Sequence, residues 1–95
     1  MPFEPSAFAL VVDDDPEFLI AMKLMMRMCG FSHIVAATNG AEAIEHLKEW
    51  RFDIILSDWN MTPMDGLDLL RALRAMPGVG NTPFVLLTAS LSETA

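Results

Sequence analysis

The sequence predicts an α/β fold, a parallel sheet with helices on both faces, and three observations carry that expectation. Along 95 residues the apolar pattern switches repeatedly between strand and helix period. The first run, Phe8-Ala9-Leu10-Val11-Val12, is apolar without interruption, as befits a parallel strand covered on both faces. Helix-capping residues fall between successive runs, giving the order β-α-β-α-β-α-β, which calls for crossover connections.

After the first strand, Asp15-Pro16 reads as an N-cap followed by proline at the first helical position, opening a helix to about Met28. Gly30 closes it, and Ile34-Val35-Ala36-Ala37 supplies a short second strand. Asn39 caps a helix over Ala41 to Glu49, with Glu42 three residues on as in a capping box. Ile54 to Ser57 is the third strand. Asp65 caps Gly66 to Met76, in which Leu67, Leu70, Leu73 and Met76 repeat at helical spacing. Pro77-Gly78 ends that helix, and Pro83 to Thr88 forms a fourth strand.

Composition narrows the function classes. A 53% hydrophobic chain with mean hydropathy +0.36 is not a disordered one. Thirteen acids against six bases leave a net charge of −7, which argues against direct nucleic-acid binding. No apolar stretch is long and uncharged enough for membrane insertion, and the start lacks an export pattern. The single Cys29 cannot form an internal disulfide and fits a reducing, cytoplasmic setting.

Chemistry gathers where the strands end. Asp13-Asp14-Asp15 follow the first strand, Asp58 the third, and Thr88 closes the fourth. Parallel strands bring those ends to one carboxyl edge, where open α/β sheets bind ligands. Capping before Pro16 accounts for Asp15, whereas Asp13 and Asp14 have no such local job on sequence grounds. Clustered carboxylates repel unless a hard cation sits among them, and Mg²⁺, which takes oxygen ligands and keeps waters, is the natural occupant. A carboxylate beside Mg²⁺ is placed to accept a phosphoryl group.

Leu10-Val11-Val12-Asp13-Asp14, Ser57-Asp58-Trp59-Asn60-Met61, Met64-Asp65-Gly66 and Leu87-Thr88-Ala89 together resemble the receiver domain of bacterial two-component response regulators. The similarity runs from about Phe8 to Ser90, and Ser57 to Met61 is most similar to the single-domain chemotaxis members. The resemblance implies a doubly wound, flavodoxin-like sheet in the order 2-1-3-4, and residues 1–95 as a single receiver domain, incomplete at the C-terminus. It implies Asp58 as phosphoacceptor, taking its phosphoryl group from a phosphohistidine on a sensor histidine kinase or histidine phosphotransfer protein. Asp14, Asp58 and the Asn60 carbonyl would ligate Mg²⁺, with Asp13 acting through bound water. Thr88 would contact the phosphoryl group and throw the output switch, and Trp59 beside the acceptor should report on the site by fluorescence. The chain is thereby expected to be a signalling domain that assists its own phosphorylation rather than an enzyme.

Two departures from the family pattern stand out. The family's proline four residues after the acceptor is Thr62 here, with Pro63 one later, so the bend is expected to be kept but displaced. The family's fifth strand, its lysine and its fifth helix have no counterpart: the only lysines are Lys23 and Lys48, both inside helices. An uncovered fourth strand would be an exposed apolar edge. Association through it, as a homodimer or by segment exchange, or a truncated and phosphorylation-independent interaction module, is the alternative expectation. An aspartyl-phosphate phosphatase, suggested by the Asp13 and Asp15 spacing, would need a cap domain that this length cannot supply.

Other residues take plainer readings. Met22, Met25, Met26 and Met28, among Phe18, Leu19 and Leu24, are expected to fill core. His33 and His46 lack partners at metal-ligand spacing. Cys29 reads as a buried helix end, and Arg71 and Arg74 as a solvated face with Asp68.

Overall fold

The computed structural model of the chain describes residues 7–87. Its elements are β1 (Phe8–Val12), α1 (Pro16–Met28), β2 (His33–Ala37), α2 (Gly40–Glu49), β3 (Ile54–Asp58), α3 (Gly66–Arg74) and β4 (Phe84–Leu87). All strand pairs are parallel, in the order β2-β1-β3-β4, the receiver arrangement that the resemblance implied. Side chains alternate across β1, and both faces are buried, which is why the run reads as uninterrupted apolar sequence. Leu10 and Val12 join Leu47, Ile55, Leu69 and Leu73 in the core beneath α2 and α3. Ala9 and Val11 join Leu19, Met22, Met26, Phe31 and Leu56 beneath α1. Leu10 and Ile55, fully buried at the centre, each contribute about 2–3 kcal/mol of apolar transfer.

Register carries this pattern to the carboxyl edge. Val12 lies beside Ala37 and Ser57, and Asp58 beside Leu87, so the residues after each strand emerge together. The Asp13 N–H extends the ladder by donating to the Ala37 carbonyl at 3.1 Å. Among the described residues β4 is the outer strand. Its Val85 is 39% exposed.

The caps explain where the helices start. Asp15 accepts from the Glu17 N–H at 2.9 Å ahead of Pro16. Asn39 accepts from the Glu42 N–H, but Glu42 reaches back to the Thr38 N–H and hydroxyl rather than to Asn39, so the expected box is offset by one residue. The reciprocal box belongs to α3 instead, where Asp65 and Asp68 each accept from the other's N–H. Such caps contribute about 1 kcal/mol each.

Several side chains depart from expectation. Met22 and Met26 are core, but Met25, Met28, Phe18 and Leu24 are exposed, Met28 at 80%, because one helix face suffices to cover the sheet. Cys29 is exposed, not buried. The turn after it is a Schellman motif: Phe31 N–H donates to Met26 O and Gly30 N–H to Arg27 O. Gly30 takes φ 104°, which swings Phe31 into the core and leaves Cys29 outside. Along α3, Leu69 and Leu73 are the fully buried pair, at i and i+4, while Leu67 and Leu70 are only half-buried. That helix stops at Arg74, two residues early, as Ala75 and Met76 N–H groups tighten onto Ala72 and Leu73. Arg71, Arg74 and Asp68 are exposed, as expected, and Arg74 also donates to the Gly80 and Thr82 carbonyls.

Candidate functional site

Asp13 and Asp14 leave the end of β1 beside Asp58 at the end of β3. One carboxylate oxygen from each lies within 4.8 Å of the others. Asp13 is buried, 4% exposed, whereas Asp14 is open to solvent and Asp58 is intermediate. Asp13 also has the local job that sequence reading denied it, accepting from the Asp15 N–H at 2.9 Å. That bond ties the acidic turn to the cap of α1.

The loop after Asp58 is held close. The Ser57 hydroxyl donates to the Asp58 carbonyl at 2.9 Å, the Trp59 N–H to Leu87 O, and the Gly66 N–H to Trp59 O. Gly66 is the contact that permits this. A Cβ there would lie 2.5 Å from the Asp58 carbonyl oxygen and 2.6 Å from Leu86 Cδ2, so only glycine lets the start of α3 seat against the end of β3. Asp65-Gly66 ahead of a helix hints at a tight start, but not at which backbone it touches. A cleft of about 260 Å³ opens beside the carboxylates, bounded by Asp14, Asn60, Met61, Thr62 and Asp65. Asn60 thus lines the same cleft as Asp14, and the Thr62–Pro63 peptide bond on its rim is cis. Thr88 lies outside the described residues.

Electrostatics follow from the geometry. Burial pushes the Asp13 carboxyl above the ordinary carboxylate range; the Asp15 N–H opposes this, and the charges of Asp58, Asp14 and Asp15 add to it. Burial also raises Asp58, against the Asn60 N–H, with Asp14 adding repulsion, the Trp59 N–H opposing and Asp15 adding further. No base relieves the cluster, since the one ion pair among the described residues joins Lys48 to Glu45. Three acceptor-only groups converging with no counter-charge suit a hard divalent cation with oxygen ligands, so the residues fit Mg²⁺.

Known proteins are similar to this chain in sequence and fold. A family model described as the response regulator receiver domain matches residues 9–95. Chemotaxis protein CheY of Pseudomonas aeruginosa is 38% identical over 80 residues, covering 84% of this chain and 64% of that protein. The structure of chemotaxis response regulator CheY4 of Vibrio cholerae aligns with a TM-score of 0.81 at 30% identity, covering 94% of this chain and 73% of that one. The signal receiver domain of a signal transduction histidine kinase from Syntrophus aciditrophicus gives 0.80 at 34% identity, covering 87% and 62%. The chain spans 62 to 64% of the length of the curated relatives it matches.

Proposed function

The chain belongs to the response regulator receiver domains, and from that premise we propose that Asp58 is its phosphoacceptor in two-component signalling. The observation that carries the reading is the convergence of Asp13, Asp14 and Asp58 within 4.8 Å at the carboxyl edge.

In the proposed reaction an Asp58 carboxylate oxygen attacks the phosphorus of a phosphohistidine. A P–O bond forms as the P–N bond breaks, and the electron pair leaves with the imidazole, which takes up a proton. The nucleophile must be ionised, and the Asn60 and Trp59 N–H groups favour that form against burial and the neighbouring charge of Asp14. Asp13, Asp14, Asp58 and the Asn60 carbonyl are the groups that would hold Mg²⁺. When bound, it neutralises the carboxylates and the charge spread over the phosphoryl oxygens. Gly66 and the Ser57 hydroxyl keep the acceptor's backbone from shifting during attack. Thr88, directly after the register partner of Asp58, is the proposed hydroxyl donor to a phosphoryl oxygen.

The donor is a sensor histidine kinase or a histidine phosphotransfer protein, and the reaction takes place in the cytoplasm, where such donors act. Residues 1–95 belong to a single receiver domain, of which they are an incomplete part, and its output is a conformational switch rather than turnover of a substrate. Incubation with acetyl phosphate and Mg²⁺ tests the reading by intact mass. The parent should gain one phosphoryl group, and Asp58→Asn none. An unlabelled parent, or a variant labelled equally, would overturn it.

A further inference from the structure

At the amino edge of the sheet, opposite the carboxylates, lies a cleft of about 610 Å³ between the segment entering β3 and the loop from α3 to β4. In a chain of thirteen acids and six bases, its lining holds two arginines, Arg51 and Arg74, and no carboxylate. Arg74 is already fixed, its Nη1 donating to Gly80 O at 2.7 Å and Thr82 O at 2.8 Å, with the rest of its fork uncommitted. Arg51 has no ion-pair or hydrogen-bond partner among the described residues. Its guanidinium lies over Gly78, 3.4 Å from where a Cβ would stand, and the φ of +81° there favours glycine. Asn81 adds an amide uncommitted among the described residues, whereas the Thr82 hydroxyl is spent on Val79 O. Phe52 and Val79, both buried in the core, give the otherwise polar cleft a small apolar floor.

Two guanidiniums without counter-ions among the described residues, one of them pre-positioned, match a dianion that accepts forked hydrogen bonds. The volume lies within the range of small-molecule sites and exceeds what a bare anion fills. We propose that this cleft binds a phosphate-bearing small molecule, its phosphate held by Arg51 and Arg74 and its remainder against Phe52 and Val79. The site is distinct from the acceptor at the opposite edge and needs no cation.

The test is an NMR titration of the whole chain at constant ionic strength with a chelator present, using inorganic phosphate and, separately, a nucleoside monophosphate. Saturable shifts are expected at the Gly78, Gly80 and Thr82 amides, with those of Asp13 and Asp14 unmoved. Arg51→Gln, a change at an exposed position, should keep the β1 amide spectrum and weaken the apparent affinity about tenfold, the loss of one charge-assisted hydrogen bond. Saturation by inorganic phosphate would place recognition in the arginine pair alone. Saturation by the nucleotide only would show that the apolar floor contributes. Either supports the site. Absence of saturable shifts with both probes, or equal affinity in Arg51→Gln, would overturn it.

Discussion

Replacing Asp13 by Asn removes one charge from the carboxylate cluster while keeping the side-chain oxygen that accepts from the Asp15 N–H. At 4.8 Å two unit charges repel by about 1 kcal/mol in bulk water and by about 3.5 kcal/mol at an effective dielectric of 20. Asp14 is exposed, so its repulsion of Asp13 sits near the lower figure; that of the half-buried Asp58 lies between the two. Relief of both, with the desolvation of a buried charge, makes Asp13→Asn more stable than the parent by about 2 kcal/mol at pH 7 without metal. For a chain of this size that is about 10 °C in Tm. The pH dependence has a definite sign. Asp13 and Asp58 hold their protons more tightly folded than unfolded. Their favourable contribution is therefore complete below the unfolded carboxylate pKa of about 4 and is lost as pH rises through the raised folded values. The parent should lose stability over that window more steeply than Asp13→Asn. Mg²⁺ works in the opposite direction, adding about 2.7 kcal/mol to the parent at a hundredfold excess over Kd and less to a variant with one carboxylate fewer. Urea unfolding with chelator and then with Mg²⁺ measures both. A metal-free variant no more stable than the parent, or one whose advantage survives Mg²⁺ undiminished, would refute the reasoning.

Two further predictions probe the frame around the site. Gly66→Ala forces a methyl group into the Asp58 carbonyl and Leu86, and should cost about 2–4 kcal/mol in urea unfolding, with loss of Mg²⁺ affinity; a near-neutral result would mean that the helix start can retreat. Trp59, 41% exposed beside the acceptor, should change its emission saturably with Mg²⁺, while Trp50, stacked 5.8 Å from Phe8 at the opposite edge, stays silent. Trp59→Phe should abolish the response and Trp50→Phe preserve it; the reverse pattern would place the cation elsewhere.

Why the fold was so legible in the sequence can be traced to particular elements. Phe8 to Val12 is apolar at every position because Leu10 and Val12 face one core and Ala9 and Val11 the other. Asp15, Asn39 and Asp65 each cap the helix expected of them. Expectation failed where tertiary contacts decide among equally plausible local choices. Spacing alone could not say that Leu69 rather than Leu70 meets the sheet, nor that Gly30 would send Phe31 inward in place of Cys29. Arg74 is exposed as expected, but spacing along the helix could not show the carbonyls it meets, which belong to a loop six to eight residues away. At the site, the residue types and strand ends sufficed to bring Asp13, Asp14 and Asp58 together. The role of Gly66 stayed hidden, since a glycine at a helix start carries no record of the carbonyl it must clear.

The central claim is that Asp58 takes the phosphoryl group, and locating the modified side chain tests it most directly. After reaction with acetyl phosphate and Mg²⁺, borohydride reduction converts an acyl phosphate to homoserine, which peptide mass mapping can place. The account predicts conversion at residue 58 alone, suppressed by chelator. Conversion at residue 13 or 14, or no conversion in a chain shown to be folded, would contradict it.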